Sequence, residues 1–111
     1  MELSKKDKKA AREVIEKGLQ KEFARGLNDA DTILQGWKNN QTDNRATYHR
    51  LYEMIVKFDK HIARRYNGMT GSRYLFIVAA QLADEVISLH ELKDFSGEAQ
   101  KAILLLSGKE S

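Results

Sequence analysis

The sequence predicts an all-α fold: a long two-helix stalk that pairs into an antiparallel homodimer, and a small two-helix head. Three observations predict it. Apolar residues recur in steps of three and four through most of the chain, which holds them on one face of an α-helix. There is no proline to interrupt a helix. The one run that reads as a strand, Tyr74-Leu75-Phe76-Ile77-Val78, has no second strand to pair with and leads into Ala79-Ala80-Gln81-Leu82, which favours helix. The stalk is assigned to residues 5–66 and the head to 70–108.

The first helix opens at Ser4, with Asp7 three residues on completing a capping box. Its stripe is Ile15, Leu19, Phe23, Leu27, Ala30, Leu34 and Trp37. Gly18, Gly26 and Gly36 each weaken it by about 1 kcal/mol relative to Ala, and Gly18 and Gly26 suit a close backbone approach of the same helix from a second copy. Lys38 to Asn44 is the one clear break, with Asp43 or Asn44 placed to cap the next helix. That second helix runs from about Arg45 to Tyr66, with Tyr48, Leu51, Ile55, Phe58, Ile62 and Tyr66 on one face. Asn67 to Ser72 makes a turn with caps at Thr70 or Ser72. A third helix runs from Arg73 to roughly Leu89, and Ser96 caps a short last helix that ends at Gly108.

Helix length calls for a second copy. At 1.5 Å per residue a helix from Lys5 to Gly36 is about 48 Å long. A compact globule of 111 residues is only roughly 34 Å across. Leu19, Phe23, Leu27 and Leu34 each gain roughly 2 kcal/mol on full burial, so they are assigned to a dimer interface together with Ile55.

Composition narrows the chemistry. The chain has no cysteine, so disulfides, thiolate nucleophiles and Cys-ligated metals are excluded. Tyr74 to Ala80 is far short of the roughly 20 apolar residues that span a bilayer, and no apolar segment follows the lysines of Met1-Glu2-Leu3-Ser4-Lys5-Lys6, so no export signal is expected. The expected location is cytoplasmic.

Of the three histidines, His49 and His61 lie on one helix about 18 Å apart, too far to share a metal. Asp84 and Glu85 are adjacent and so do not face each other on a helix. No strand precedes Gly68 and Gly71 as a phosphate-binding loop requires. The reading is a non-enzymatic protein with no cofactor and no metal.

Formal net charge is only +3, but it is unevenly spread, with basic segments over 1–25 and 44–68 and a mildly acidic one after them. Arg50, Lys57 and Arg64 share a line on the second helix, with Lys60 near it. Such a line meets an acidic protein surface or tracks phosphates. The helix lengths do not match a helix-turn-helix. Protein recognition is therefore the first reading; a small basic nucleic-acid-binding protein and a purely structural dimer are the alternatives. Tyr48, His49, Tyr52 and Glu53, on consecutive turns, are candidates for a recognition patch.

In the order and spacing of its helices the chain resembles the fluorescence recovery proteins of cyanobacteria and their relatives in other bacteria. The resemblance covers roughly Arg12 to Ser107. It rests on Glu16-Lys17-Gly18-Leu19-Gln20-Lys21-Glu22, on Ile62-Ala63-Arg64-Arg65-Tyr66-Asn67, on Tyr74 through Glu85, and on Glu91-Leu92 before a short terminal helix. It implies a dimer that binds the carboxy-terminal domain of activated orange carotenoid protein and speeds its return to the resting state. The partner would be that carotenoid-binding protein, a homologue of it, or another protein. The family's working surface has a tryptophan, a His–Asp pair and an arginine, which fall here on His49, Tyr52-Glu53 and Asp59, or Lys60 after a one-residue shift. Only Glu53 keeps the family's acid. The partner-binding residues expected from the two lines together are His49, Tyr52, Glu53 and Lys60.

Overall fold

Thirty-four consecutive residues, Lys5–Lys38, form α1, and the rest of the molecule is arranged along it. The computed structural model describes residues 3–109; Met1 and Glu2, where the segment read for an export signal begins, lie outside the described residues, as do Glu110 and Ser111. After α1 come α2 (Asn44–Tyr66), a 3₁₀ turn (Gly71–Arg73), α3 (Tyr74–Ala83), a second 3₁₀ turn (Leu89–Leu92) and α4 (Gly97–Ser107). The fold is all-helical, with no strand among the described residues. None of these helices is long and apolar enough to cross a membrane.

The helix ends follow their local chemistry. Ser4 Oγ accepts the Asp7 N–H at 3.1 Å, Asp43 Oδ1 accepts the Ala46 N–H at 2.7 Å, and Ser96 Oγ accepts the Ala99 N–H at 3.2 Å, each removing an orphan donor from a first turn. The expected capping box at Ser4 is only half made, because the Asp7 carboxylate is committed elsewhere. It accepts the Ser96 N–H and the Ser96 hydroxyl, both at 2.7 Å. Neither Thr70 nor Ser72 caps the turn before α3 with its side chain.

The third helix is shorter than its periodicity predicts. It stops at Ala83 rather than near Leu89, because Glu85 adopts a left-handed backbone conformation with φ of 58°. The Val86 N–H then returns to the Gln81 carbonyl at 2.8 Å, closing the helix end in the way glycine usually does. The reversal folds Val86 and Ile87 inward, and both are buried.

The hydrophobic core lies at one end of the molecule. Ala10, Ala11, Val14 and Ile15 of α1 pack with Ile77, Val78 and Leu82 of α3, with Leu92 and Phe95, and with Ala99 and Ile103 of α4. The head thus takes a third member beside the two expected helices, the first turns of α1. Farther along the hairpin, past Glu22, only Gly26 of α1 and Thr47 of α2 are buried among the described residues. The hairpin of α1 and α2 therefore projects from the head as a thin arm. The molecule measures 53 × 26 × 21 Å, with a radius of gyration of 17.4 Å where a compact chain of this length has about 13 Å.

Candidate interaction surfaces

A buried carboxylate sits where the arm leaves the head. Glu22 of α1 is 4% exposed. Its Oε1 accepts from His61 Nε2 and from Arg65 Nη1, both at 2.7 Å, and its Oε2 accepts from the Tyr66 hydroxyl. Arg65 also reaches Asp84 beyond the end of α3. Tyr66 in turn accepts from Gln81 Nε2 at 2.9 Å, and the same nitrogen donates to the Ile15 carbonyl at 3.1 Å. Burial, together with the hydrogen bond to the Glu22 carboxylate, holds the Tyr66 phenol well above its ordinary pKa. One polar chain thus joins α1, α2 and α3 where the three meet.

Two glycines of α1 make this junction possible. A Cβ at Gly18 would lie 2.2 Å from Gln81 Nε2, and one at Gly26 would lie 3.0 Å from the Phe58 ring. The close approach expected between copies at these glycines occurs within the chain. A second tie lies on the far side of α1. Glu91 accepts the Ser88 N–H at 2.6 Å and Lys21 Nζ at 3.0 Å. Burial raises the pKa of this carboxylate, but its donors outweigh burial and hold it below the ordinary value.

The arm has two unlike broad sides. Thr47, Phe58 and Arg65 of α2 face α1, so at about 100° per residue Tyr48, Tyr52 and Ile55 fall on one flank and Arg50, Lys57 and Arg64 on the other. The same division runs along α1, where Phe23, Leu27 and Leu34 share the flank of Tyr48 and Ile55. A shallow apolar pocket on this side is lined by Leu34, Trp37, Thr47, Tyr48 and Leu51. Leu27 is 72% exposed, Tyr48 69% and Tyr52 61%. Phe23 and Ile55 are also exposed, while Leu19 and Leu34 are half-buried. The residues assigned to an interface between copies therefore share one side of the arm.

The opposite side holds a groove of about 500 Å³, floored by Ile33, Met54 and Phe58 and rimmed by Arg50 and Lys57, with Asp29 and Glu53 beside them. Of the expected partner-binding residues only Glu53 lines it. His49 and Lys60 are exposed on the outer edge of α2. His49 meets the Tyr48 ring edge-on at 6.2 Å, and Tyr52 belongs to the apolar side. At about 100° per residue the four exposed residues follow one another around the outward face of α2, from Tyr52 through His49 and Lys60 to Glu53.

No protein-family model matches this chain, and comparison with curated proteins and with solved structures returns no match. Among the described residues no group of three or more His, Asp or Glu side chains is placed to hold a metal ion. What the geometry offers is surface: one apolar side, one basic grooved side, and a buried polar joint beneath them. The joint is the part that the residue pattern did not reveal. In the sequence Glu22 and Arg65 carry no pairing signal, and His61 stands about 18 Å from the nearest imidazole on its helix. The one signal was Glu22 itself, a charge four residues from both Gly18 and Gly26 on a helix face that glycine keeps open.

Proposed function

We propose that this chain is a non-enzymatic regulatory protein that acts by binding, of the kind the fluorescence recovery proteins represent. Two copies lay the apolar sides of their arms together antiparallel, and the dimer captures a partner protein in the cytoplasm. In the narrowest form of this reading the partner is a carotenoid-binding protein homologue, whose return to its resting state is accelerated because its intermediate is bound more tightly than its starting state.

A single observation carries the reading: Phe23, Leu27, Tyr48, Tyr52 and Ile55 lie exposed on one side of a long arm. Burying such side chains yields about 25 cal/mol per Å², and a patch of this kind on an isolated chain marks an interaction site. The accessible surface supports the same conclusion. The chain exposes 7694 Å², where a compact protein of 12.7 kDa exposes about 6,200 Å². The excess is larger than the roughly 800 Å² per partner of a standard stable interface.

Sedimentation equilibrium tests the pairing. Twice the chain mass is expected at micromolar concentration, with the single mass restored by Leu27→Glu together with Ile55→Glu. A single mass for the unaltered chain at high micromolar concentration overturns it. The regulatory part is tested by adding the chain to a light-activated carotenoid-binding protein homologue and following visible absorbance. Faster recovery is expected, and an unchanged rate with no complex formed removes that partner.

A further inference from the structure

We propose that the basic side of the arm, opposite the apolar side, docks an acidic amphipathic helix of a protein partner. This deepens the proposed function and rests on it for the statement that a protein is bound, but not for the pairing of copies.

Unpaired charge defines the site. Arg50, Lys57 and Arg64 lie one above another along α2, two turns apart each time. All three are exposed, and among the described residues none forms an ion pair with a carboxylate of its own chain. The contrast with Arg65, the next residue, is direct: its side chain is 9% exposed and is held by Glu22. The line of cations is therefore open to an outside carboxylate, and it runs for about 21 Å at 1.5 Å per residue, the length of four helical turns of a partner.

The groove beside the line decides what kind of molecule fits. Its floor, Ile33, Met54 and Phe58, is apolar and half-buried between two antiparallel helices. A helix laid in such a groove places side chains at i, i+3 and i+4 on the floor and directs its flanking carboxylates at the rim. Met54 suits this role because an unbranched thioether adapts to the side chain that meets it. Nucleic acid fits less well. A duplex carries one negative charge per about 1.7 Å of axis and has no apolar side chains for the floor, and Asp29 and Glu53 stand in the groove itself. Those two carboxylates repel a continuous phosphate backbone, whereas a helix places its acids selectively toward Arg50, Lys57 and Arg64 and leaves that edge neutral. The two sides of the arm do not compete, so one copy can hold a second copy and an acidic helix at once.

Fluorescence anisotropy with the full-length chain tests this. The probe is a labelled helical peptide of four to five turns, with Leu along one face and Glu on both flanks. Saturable binding that weakens with added salt is expected, and Arg50→Glu with Lys57→Glu should weaken it by about tenfold or more. The same pair changed to Gln gives an intermediate loss if the reversed charges perturb folding. Leu27→Glu together with Ile55→Glu, on the other side, should leave peptide affinity within about twofold while abolishing pairing, so failure of the dimer and failure of this site are read separately. Equal binding by the charge-reversed and unaltered chains overturns the proposal. So does no binding by the unaltered chain, or tighter binding of a single-stranded oligonucleotide than of the peptide.

Discussion

The two ends of α1 are one continuous helix placed in opposite circumstances. Near its start, Ala10, Ala11, Val14 and Ile15 are enclosed by α3, α4 and the turns between them. In its second half, Phe23 and Leu27 are as apolar and as regularly spaced, yet they face outward. Spacing alone does not distinguish the two stretches. What differs is the company: the head surrounds the first stretch with α3, α4 and their connecting turns, and the arm supplies only α2 to the second. The same amphipathic rule thus produces a core at one end and an adhesive surface at the other.

The sharpest way to test this contrast is to remove the joint between the two regions. Glu22→Ala takes the buried acceptor from His61 and Tyr66 and leaves Arg65 with Asp84 alone, and breaking one side of such a charge cluster costs about 3–5 kcal/mol. Urea denaturation followed by circular dichroism should register that loss. Ile103→Ala, in a fully enclosed site of the head, should cost about 2–5 kcal/mol through lost burial and the cavity left behind.

Asp7→Asn comes next, at about 1–3 kcal/mol, and its effect depends on pH. Burial raises the Asp7 pKa, but the hydrogen bonds from Ser96 outweigh it and hold it below its ordinary value. A carboxyl group whose folded pKa is depressed contributes stability that is fully present above the unfolded pKa, about 3.9, and is lost as pH falls through the folded value. Denaturation midpoints of the unaltered chain and of Asp7→Asn should therefore differ at neutral pH and converge in strong acid. The smallest effect is expected on the apolar side of the arm. In dilute solution, where single copies prevail, Leu27→Ala should change stability by less than about 0.5 kcal/mol. A cost there equal to that of Ile103→Ala would erase the distinction between the two ends.

Much of the helical plan was legible because it is local. Caps at Ser4, Asp43 and Ser96, the break after Lys38 and the left-handed Gly108 follow from residues within a turn of each other. The end of α3 was not legible, since a left-handed Glu85 is uncommon for a residue with a Cβ and is held by the burial of Val86 and Ile87 rather than by its own preference. The polar joint was illegible for another reason: Glu22 meets His61, Arg65 and Tyr66 across 39 to 44 positions, and no spacing rule reaches that far. At the candidate surfaces, helical period grouped Phe23 with Leu27 and Tyr48 with Ile55. It did not separate Glu53 from His49 and Lys60, because the groove belongs to two helices and needs Asp29 and Ile33 of α1 to complete it.

The bond from Asp7 to Ser96 spans 89 positions of the chain. During synthesis the first of these residues leaves the ribosome long before the second exists, by about 4 to 18 seconds at 5–20 residues per second. Throughout that interval the early turns of α1 have neither α3 nor α4 to lie against, and they are open to chaperones and to other nascent chains on the same message. A protein stitched together from such distant positions closes late, and a premature stop anywhere before Ser96 leaves the early turns of α1 with no clasp to receive them.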